Sequence, residues 1–333
     1  MTNDWPRARL HVVTGKGGTG KTTVASALAL ALASRPGRVL LSEVEGRQGI
    51  SQTFDVPPLG TDETRILRLG GGGEVIGLSV EPKAALLEYL HLFYKLGRAG
   101  KLLEKFGAID FATTIAPGVR DVLLIGKIYE ANRRRRDGRH KGDGPLAYDA
   151  LVLDAPPTGR IVSFLDVTRA MSDLARTGPI HSQSEGVVKL VHSPQTAVHL
   201  VTLLEDLPVT ETLETIADLQ AAELRPGAVI VNRVRPQWLP DRSVAPAADG
   251  RVDAGRIRTG LAAAGVDLAP AVLEGLVAET VEHAVRVEAE AAAMARLRER
   301  GGPLLELPNL VEGVDLGTLY ELAEALVEQG VGA

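Results

Sequence analysis

Gly15-Lys16-Gly17-Gly18-Thr19-Gly20-Lys21-Thr22-Thr23 is the stretch on which the reading of this chain turns. It fits the pattern G-x-x-x-x-G-K-S/T, and it sits where that pattern has a mechanism. Before it, Leu10-His11-Val12-Val13-Thr14 is a short run that reads as a buried strand. After it, residues 22–34 are rich in alanine and leucine and lack glycine and proline. They read as a helix that stops before Pro36-Gly37. A loop between such a strand and helix wraps phosphates with its backbone N–H groups. Glycine lets the backbone approach an anion and adopt positive φ. The helix then points its positive end at the same place. In this reading Gly17, Gly18, Thr19, Gly20, Lys21, Thr22 and Thr23 form the cradle. Lys21 reaches the β- and γ-phosphates, and the Thr22 hydroxyl serves Mg²⁺.

Working outward, residues 39–44 read as a second strand. Strand, helix, strand in that order predicts a parallel pair with a right-handed crossover. Further strands are expected at 76–80, at 150–153 ending on Asp154, at 228–231 ending on Asn232, and at 304–307 closed by Pro308. Helical patterns occupy 82–97, 101–106, 118–136, 210–223, 272–300 and 317–328. The expectation is an α/β fold with a doubly wound, mostly parallel sheet. It forms one domain over residues 1–333, with a helical insertion at about 82–140. Residues 70–73 are a glycine loop. Residues 235–251, rich in Pro, Asp and Ala, read as an exposed loop.

Composition narrows the function. The chain has 333 residues, a net charge of -5 and 4% aromatics. That argues against a protein built to grip nucleic acid or an anionic membrane. Cysteine is absent, which removes disulfides, thiolate metal sites and cysteine nucleophiles together. The N-terminus is polar and lacks the apolar stretch of a secretion signal, and no run is long enough to span a bilayer. A cytoplasmic protein is expected.

A magnesium nucleotide site also needs a carboxylate at the end of a neighbouring strand, and Asp154 supplies one. Ala155-Pro156-Pro157-Thr158-Gly159 follows it. Proline and glycine shape a turn there, and the Gly159 N–H is placed to sense a γ-phosphate, as in a nucleotide-dependent switch. Lys16 exceeds what the general pattern requires. It reads either as a solvated loop lysine or as extra positive charge for phosphoryl transfer, in its own site or across a dimer interface. Other features have plainer readings. The basic run Arg133 to Arg136, with Arg139, His140 and Lys141, offsets a helix dipole at a helix end, with an anionic partner as the alternative. His192 and His199, seven apart, fall at the start of and within a presumed helix and read as structural. Tyr89, Phe93 and Tyr94 read as core or as an apolar groove, and residues 82–130 and 161–207 hold enough aliphatic side chains for a client-binding groove.

With these residues in view, the chain resembles a family. The loop at 15–23 looks like the deviant Walker A loop of the MinD, ParA and arsenical pump-driving ATPases. Asp154-Ala155-Pro156-Pro157-Thr158-Gly159 closely resembles the switch II segment of the arsenical pump-driving ATPases and their tail-anchored-protein-targeting relatives. Val80-Glu81-Pro82 and Ala116-Pro117-Gly118 look like further family segments. Asn232 is similar to the family's adenine-contacting asparagine, and the segment at Leu307-Pro308 resembles the loop that closes over the base. The resemblance implies ATP and Mg²⁺ as cofactors, slow hydrolysis, and a homodimer or a heterodimer with a paralogue. In that dimer Lys16 crosses to the partner's nucleotide, and hydrolysis controls a client or partner. Catalysis would fall to Lys16, Lys21 and a carboxylate that positions water.

Two departures accompany the likeness. The family's switch I aspartate aligns with Glu45, with Glu43 as the other candidate base. The added methylene moves the carboxylate by about 1.5 Å, and a misplacement of that size costs ~10²-fold in rate. Without cysteine, neither a thiol-bound metalloid nor a zinc clasp can form. Two rivals follow: a catalytically weak, ATP-binding half of a heterodimer, and a MinD/ParA-like positioning ATPase. The acidic balance and the lack of a basic C-terminal helix count against the second.

Overall fold

The structure, a computed structural model, describes residues 5–44, 46–82, 84–85, 117–139, 143–166, 179–311 and 313–332. Glu45 and most of the expected insertion, including Tyr89, Phe93 and Tyr94, lie outside the described residues, as do His140 and Lys141.

The sheet has eight strands: β1 (Leu10–Gly15), β2 (Arg38–Val44), β3 (Thr64–Arg68), β4 (Glu74–Val80), β5 (Ala150–Asp154), β6 (Thr196–Thr202), β7 (Pro226–Val234) and β8 (Leu304–Pro308). Their order is β3-β4-β2-β5-β1-β6-β7-β8. All neighbours pair in parallel except β3 and β4. The order reverses direction around β1, so the C-terminal ends of β1, β2, β5, β6 and β7 gather at one edge. Ligands of doubly wound sheets bind in that crevice.

One face carries α1 (Lys21–Leu32), the short α2 (Gly49–Thr53) and α10 (Leu316–Glu328). Its core includes Val13, Leu28, Leu41, Val152, Ile230 and Leu322. The other face carries α3 (Pro117–Arg133), α4 (Thr158–Leu165), α5 (Pro179–Val191), α6 (Asp206–Ala221) and the C-terminal half of α9 (Pro270–Glu299). Its core includes Val12, Leu40, Leu153, Phe164, Leu200 and Leu297. The alternation Val12 one way, Val13 the other shows why β1 reads as a continuous apolar run: both of its sides are covered. Between β7 and the body of α9 lie α7 (Asp241–Ala248) and α8 (Ala254–Ala263). A small cluster of Val244, Ala247 and Ala284 joins α7 to α9, and no residue of α8 is buried.

Some expectations need correction. Residues 196–202 are not helical: they form β6, hydrogen-bonded between β1 and β7, so His199 is a strand residue and His192 follows a helix instead of starting one. With Val198, Leu200 and Val201 buried in the sheet core, that stretch lines no groove. Residues 241–248, expected in a loop, form α7 with Pro246 inside it. The antiparallel edge strand β3 was not anticipated. The basic run after α3 is also less free than its charge suggests. Arg134 pairs with Glu63 and Arg135 donates to the Gly144 carbonyl at 2.7 Å. Tyr148, stacked under Arg38 and Arg134, donates to Glu63 at 2.5 Å.

Candidate active site

The loop leaves β1 at Gly15, where no larger residue fits: a Cβ would stand 2.3 Å from the Val201 carbonyl oxygen on β6. Gly18 and Gly20 take φ of 88° and 87°, the left-handed region that glycine enters without strain. The chain therefore curls around a hollow before α1 begins. Lys21 lies under the curl, 9% exposed, and its Nζ donates to the Lys16 carbonyl at 3.2 Å. The same carbonyl accepts from the Thr19 hydroxyl at 2.9 Å. Burial pulls the Lys21 ammonium below its usual value. Asp154 opposes that shift, and the positive charge of Arg47 adds to it.

Thr22 and Asp154 meet, as a magnesium nucleotide site requires. The Thr22 hydroxyl donates to Asp154 Oδ2 at 2.6 Å. Asp154 Oδ1 is buried with no hydrogen-bond partner. Burial raises the Asp154 pKa, Thr22, Lys21 and Arg47 oppose the rise, and Glu43 adds to it. A hard-oxygen pair with one unsatisfied, desolvated carboxylate oxygen is the donor set that suits Mg²⁺. The residues thus fit the metal that the sequence implied.

Glu43 sits across from Asp154 in the β2–β5 register. It is fully buried and engaged: its carboxylate accepts from the Gln48 N–H at 2.7 Å and from the Ile50 N–H at 3.2 Å. Those bonds fix the start of α2, and α2 reaches the site, since a Cβ on Gly49 would lie 3.0 Å from Thr22 Cγ2. Here Glu43 acts as a clamp for the segment after β2. Glu43→Gln places an NH₂ where a backbone N–H must donate. It is expected to cost about 1–2 kcal/mol, read as a lower denaturation midpoint.

Beyond β5, the Thr14 hydroxyl donates to the Pro156 carbonyl at 2.7 Å and so ties the turn to the loop. Gly159 is exposed in the first turn of α4. At the other end, β7 and β8 pair up to Val234 opposite Pro308, which puts Asn232 and Pro308 at the same edge of the sheet. Asn232 Nδ2 donates to the Thr19 carbonyl at 2.9 Å. A cleft of about 660 Å³ opens beside it, between the loop after β6 and α9.

Lys16 holds an ion pair that the sequence did not reveal: its Nζ lies 2.5 Å from Glu211 Oε1 on α6, and both side chains are half-buried. Glu211 carries no local motif, and a separation of 195 residues hides the contact from any pattern search. Arg47, whose charge acts on both Lys21 and Asp154, belongs to none of the motifs read from the sequence.

A strand, a glycine loop closed by a buried lysine, a helix, and an aspartate on the neighbouring strand that meets the loop threonine define a P-loop nucleoside triphosphatase. The chain belongs to the family of anion-transporting ATPases, whose model matches residues 8–193, and it is an ATPase. It is 57% identical to the ATPase BagA of Mycobacterium tuberculosis over 331 residues, 98% of this chain and 96% of that one. It is 28% identical over 172 residues to a Chlorobaculum tepidum protein whose name makes it an arsenical pump-driving ATPase, covering 49% of this chain and 36% of that one. To the ATPase GET3 of Kluyveromyces lactis it is 25% identical over 257 residues, 67% of this chain and 71% of that one. No described helix is long and apolar enough to cross a membrane.

Proposed function

We propose that this ATPase works as a Mg²⁺-dependent, dimeric switch of one domain in the cytoplasm, coupling its nucleotide state to a protein client or partner. The observation that carries the metal dependence is the Thr22–Asp154 contact with its unsatisfied Oδ1. Thr22 and Asp154 would hold the metal, which supplies positive charge to the phosphate oxygens when bound. The chain's own groups do the rest. The amides of Gly17 to Thr23 and the Lys21 ammonium bind the triphosphate. Asn232 and Pro308 flank the base, and the Gly159 N–H, in the first turn of α4, senses the γ-phosphate. Attack on the γ-phosphorus is by water in line with the leaving oxygen, with Glu45 as the residue that orients it; Glu43 is committed to the α2 amides.

Lys16 is proposed to leave Glu211 and reach the nucleotide of a second subunit, a homodimer being the simplest assembly and a paralogue the alternative. Arsenite held by thiolates is not the effector, because the chain contains no cysteine. Phosphate release from ATP by purified protein tests the reading. It is expected to require Mg²⁺ and to stop on chelation with EDTA. Equal release with and without EDTA would overturn the metal assignment, and calorimetry showing no uptake of ATP would overturn the site.

A further inference from the structure

We infer that Asn232 is a positioning residue for the phosphate loop: a strut from β7 that holds residues 16–21 in their binding shape, in addition to any contact with the base. The inference rests on the reading of that loop as the triphosphate site and extends it to how the loop is kept in shape.

The geometry is specific. Asn232 is 6% exposed, and its Nδ2 donates to the Thr19 carbonyl at 2.9 Å across 213 residues of sequence. The loop packs directly on the same nitrogen: a Cβ on Gly20 would stand 2.4 Å from Nδ2. Gly20 therefore answers to two demands at once, a φ of 87° and the close approach of Asn232. The other end of the amide is also fixed, since Oδ1 accepts from the Arg233 N–H at 3.0 Å. Arg233 takes φ 58°, a conformation that a non-glycine residue rarely adopts. The β7–β8 register shifts between Val231 and Val234, around this residue. β7 thus breaks its regular geometry immediately after the asparagine.

The bonds continue inward from the strut. Thr19 donates to the Lys16 carbonyl, and Lys21 donates to that same carbonyl from below. Asn232, Thr19, Lys16 and Lys21 form one connected set that decides where the loop amides point. Amides that converge on an anion repel one another when the anion is absent, so a loop of this kind needs support from outside itself. A primary amide has two N–H donors and two acceptor lone pairs. Thr19 and Arg233 take one of each, which leaves one of each for a base edge. One side chain can therefore transmit occupancy of the base site to the phosphate site.

A ligand with phosphates and no base separates the two roles. Binding of magnesium tripolyphosphate and of MgATP is measured by calorimetry for wild type, Asn232→Ala and Asn232→Ser; the shorter serine falls short of Thr19 but keeps a polar group on β7. Both substitutions are expected to weaken tripolyphosphate about tenfold, the loss of one hydrogen bond of this kind, and MgATP by at least as much. Amide hydrogen exchange on ligand-free protein is expected to speed up within residues 15–22 and to stay unchanged in the central strands. Tripolyphosphate affinity that is unchanged while ATP weakens would overturn the strut and leave a base contact only. Unaltered exchange in residues 15–22 would overturn it as well. Wild-type protein that takes up neither ligand would overturn the triphosphate site instead, and the exchange measurement would still decide the strut.

Discussion

Lys21→Ala is expected to reduce ATP turnover by ~10²–10³-fold, the effect of removing one preorganised charge from a phosphoryl-transfer site. The loss has two sources in the geometry. The ammonium is buried beneath the loop and bonds the Lys16 carbonyl, so alanine removes both a positive charge and one support of the curl. The charge also offsets the raised pKa of Asp154. Without it, burial and Glu43 drive that carboxyl further towards its protonated form, which no longer suits a cation. Lys21→Arg is expected to fail too, because a planar guanidinium cannot replace a compact ammonium under a tight loop. Single-turnover phosphate release with saturating MgATP measures both. Turnover of the alanine variant within a few-fold of wild type would remove Lys21 from the site.

The second large effect is on stability in acid. His11 and His199 are fully buried and stacked, with His11 Nδ1 3.0 Å from His199 Nε2. Trp5 packs edge-on against both rings. The Ala228 N–H donates to His199 Nδ1 at 3.1 Å, so that nitrogen carries no proton and Nε2–H must donate to His11. Every position in this chain requires neutral rings. A proton on His199 Nδ1 would face the Ala228 N–H, and a proton on His11 Nδ1 would face His199. Burial pushes the His11 pKa down to about 4, opposed by the Ala8 backbone. Burial, with His11 adding to it, pushes His199 further below its usual value.

The sign follows from the proton balance. Below pH 6.5 the unfolded chain takes up protons that the folded chain refuses, so stability falls as pH falls. For His11 the loss runs from about pH 6.5 to about pH 4 and reaches about 3 kcal/mol; His199 adds to it in the same direction. Asp154, with its raised pKa, works the opposite way. The comparison is therefore made against His11→Asn, whose Oδ1 can accept from His199 in place of Nδ1. Urea denaturation at pH 7.5 and 4.5 is expected to show a smaller drop for the variant than for wild type. Equal drops would mean that the buried rings do not govern the acid response.

The site was legible where its chemistry depends on close neighbours in the chain. Glycines at 15, 18 and 20, Lys21 and Thr22 must follow one another because a single turn of backbone has to wrap one anion. Asp154 could be found because a strand ending in a carboxylate is a local pattern. Asn232 and Pro308 also end apolar runs, but only the family resemblance marked them as candidates. The misreadings have a common cause as well. Thr196–Thr202 is covered on both faces, so it lacks the alternation that marks a strand, and its length suits a helix segment equally. α7 keeps Pro246 near its C-terminal end, and proline and aspartate made the stretch look like a loop. β3 is half-exposed at the sheet edge, and its apolar residues are the adjacent pair Ile66-Leu67, which shows no strand alternation.

What the amino-acid order determined by itself is the glycine loop with its lysine, the strand that ends on Asp154 and the parallel α/β class, since these follow from covalent neighbours and from periodicity along the chain. The absence of thiol chemistry is equally a property of the sequence. Only the tertiary structure decided that Glu43 is spent on the α2 amides, that Glu211 holds Lys16, that Asn232 reaches Thr19 and that one hydrogen bond joins two neutral histidines in the core. Each of these joins atoms on different elements, and a hydrogen bond is set by a few ångströms and an angle. Sheet order and register bring such partners within range, and sequence spacing carries no record of them.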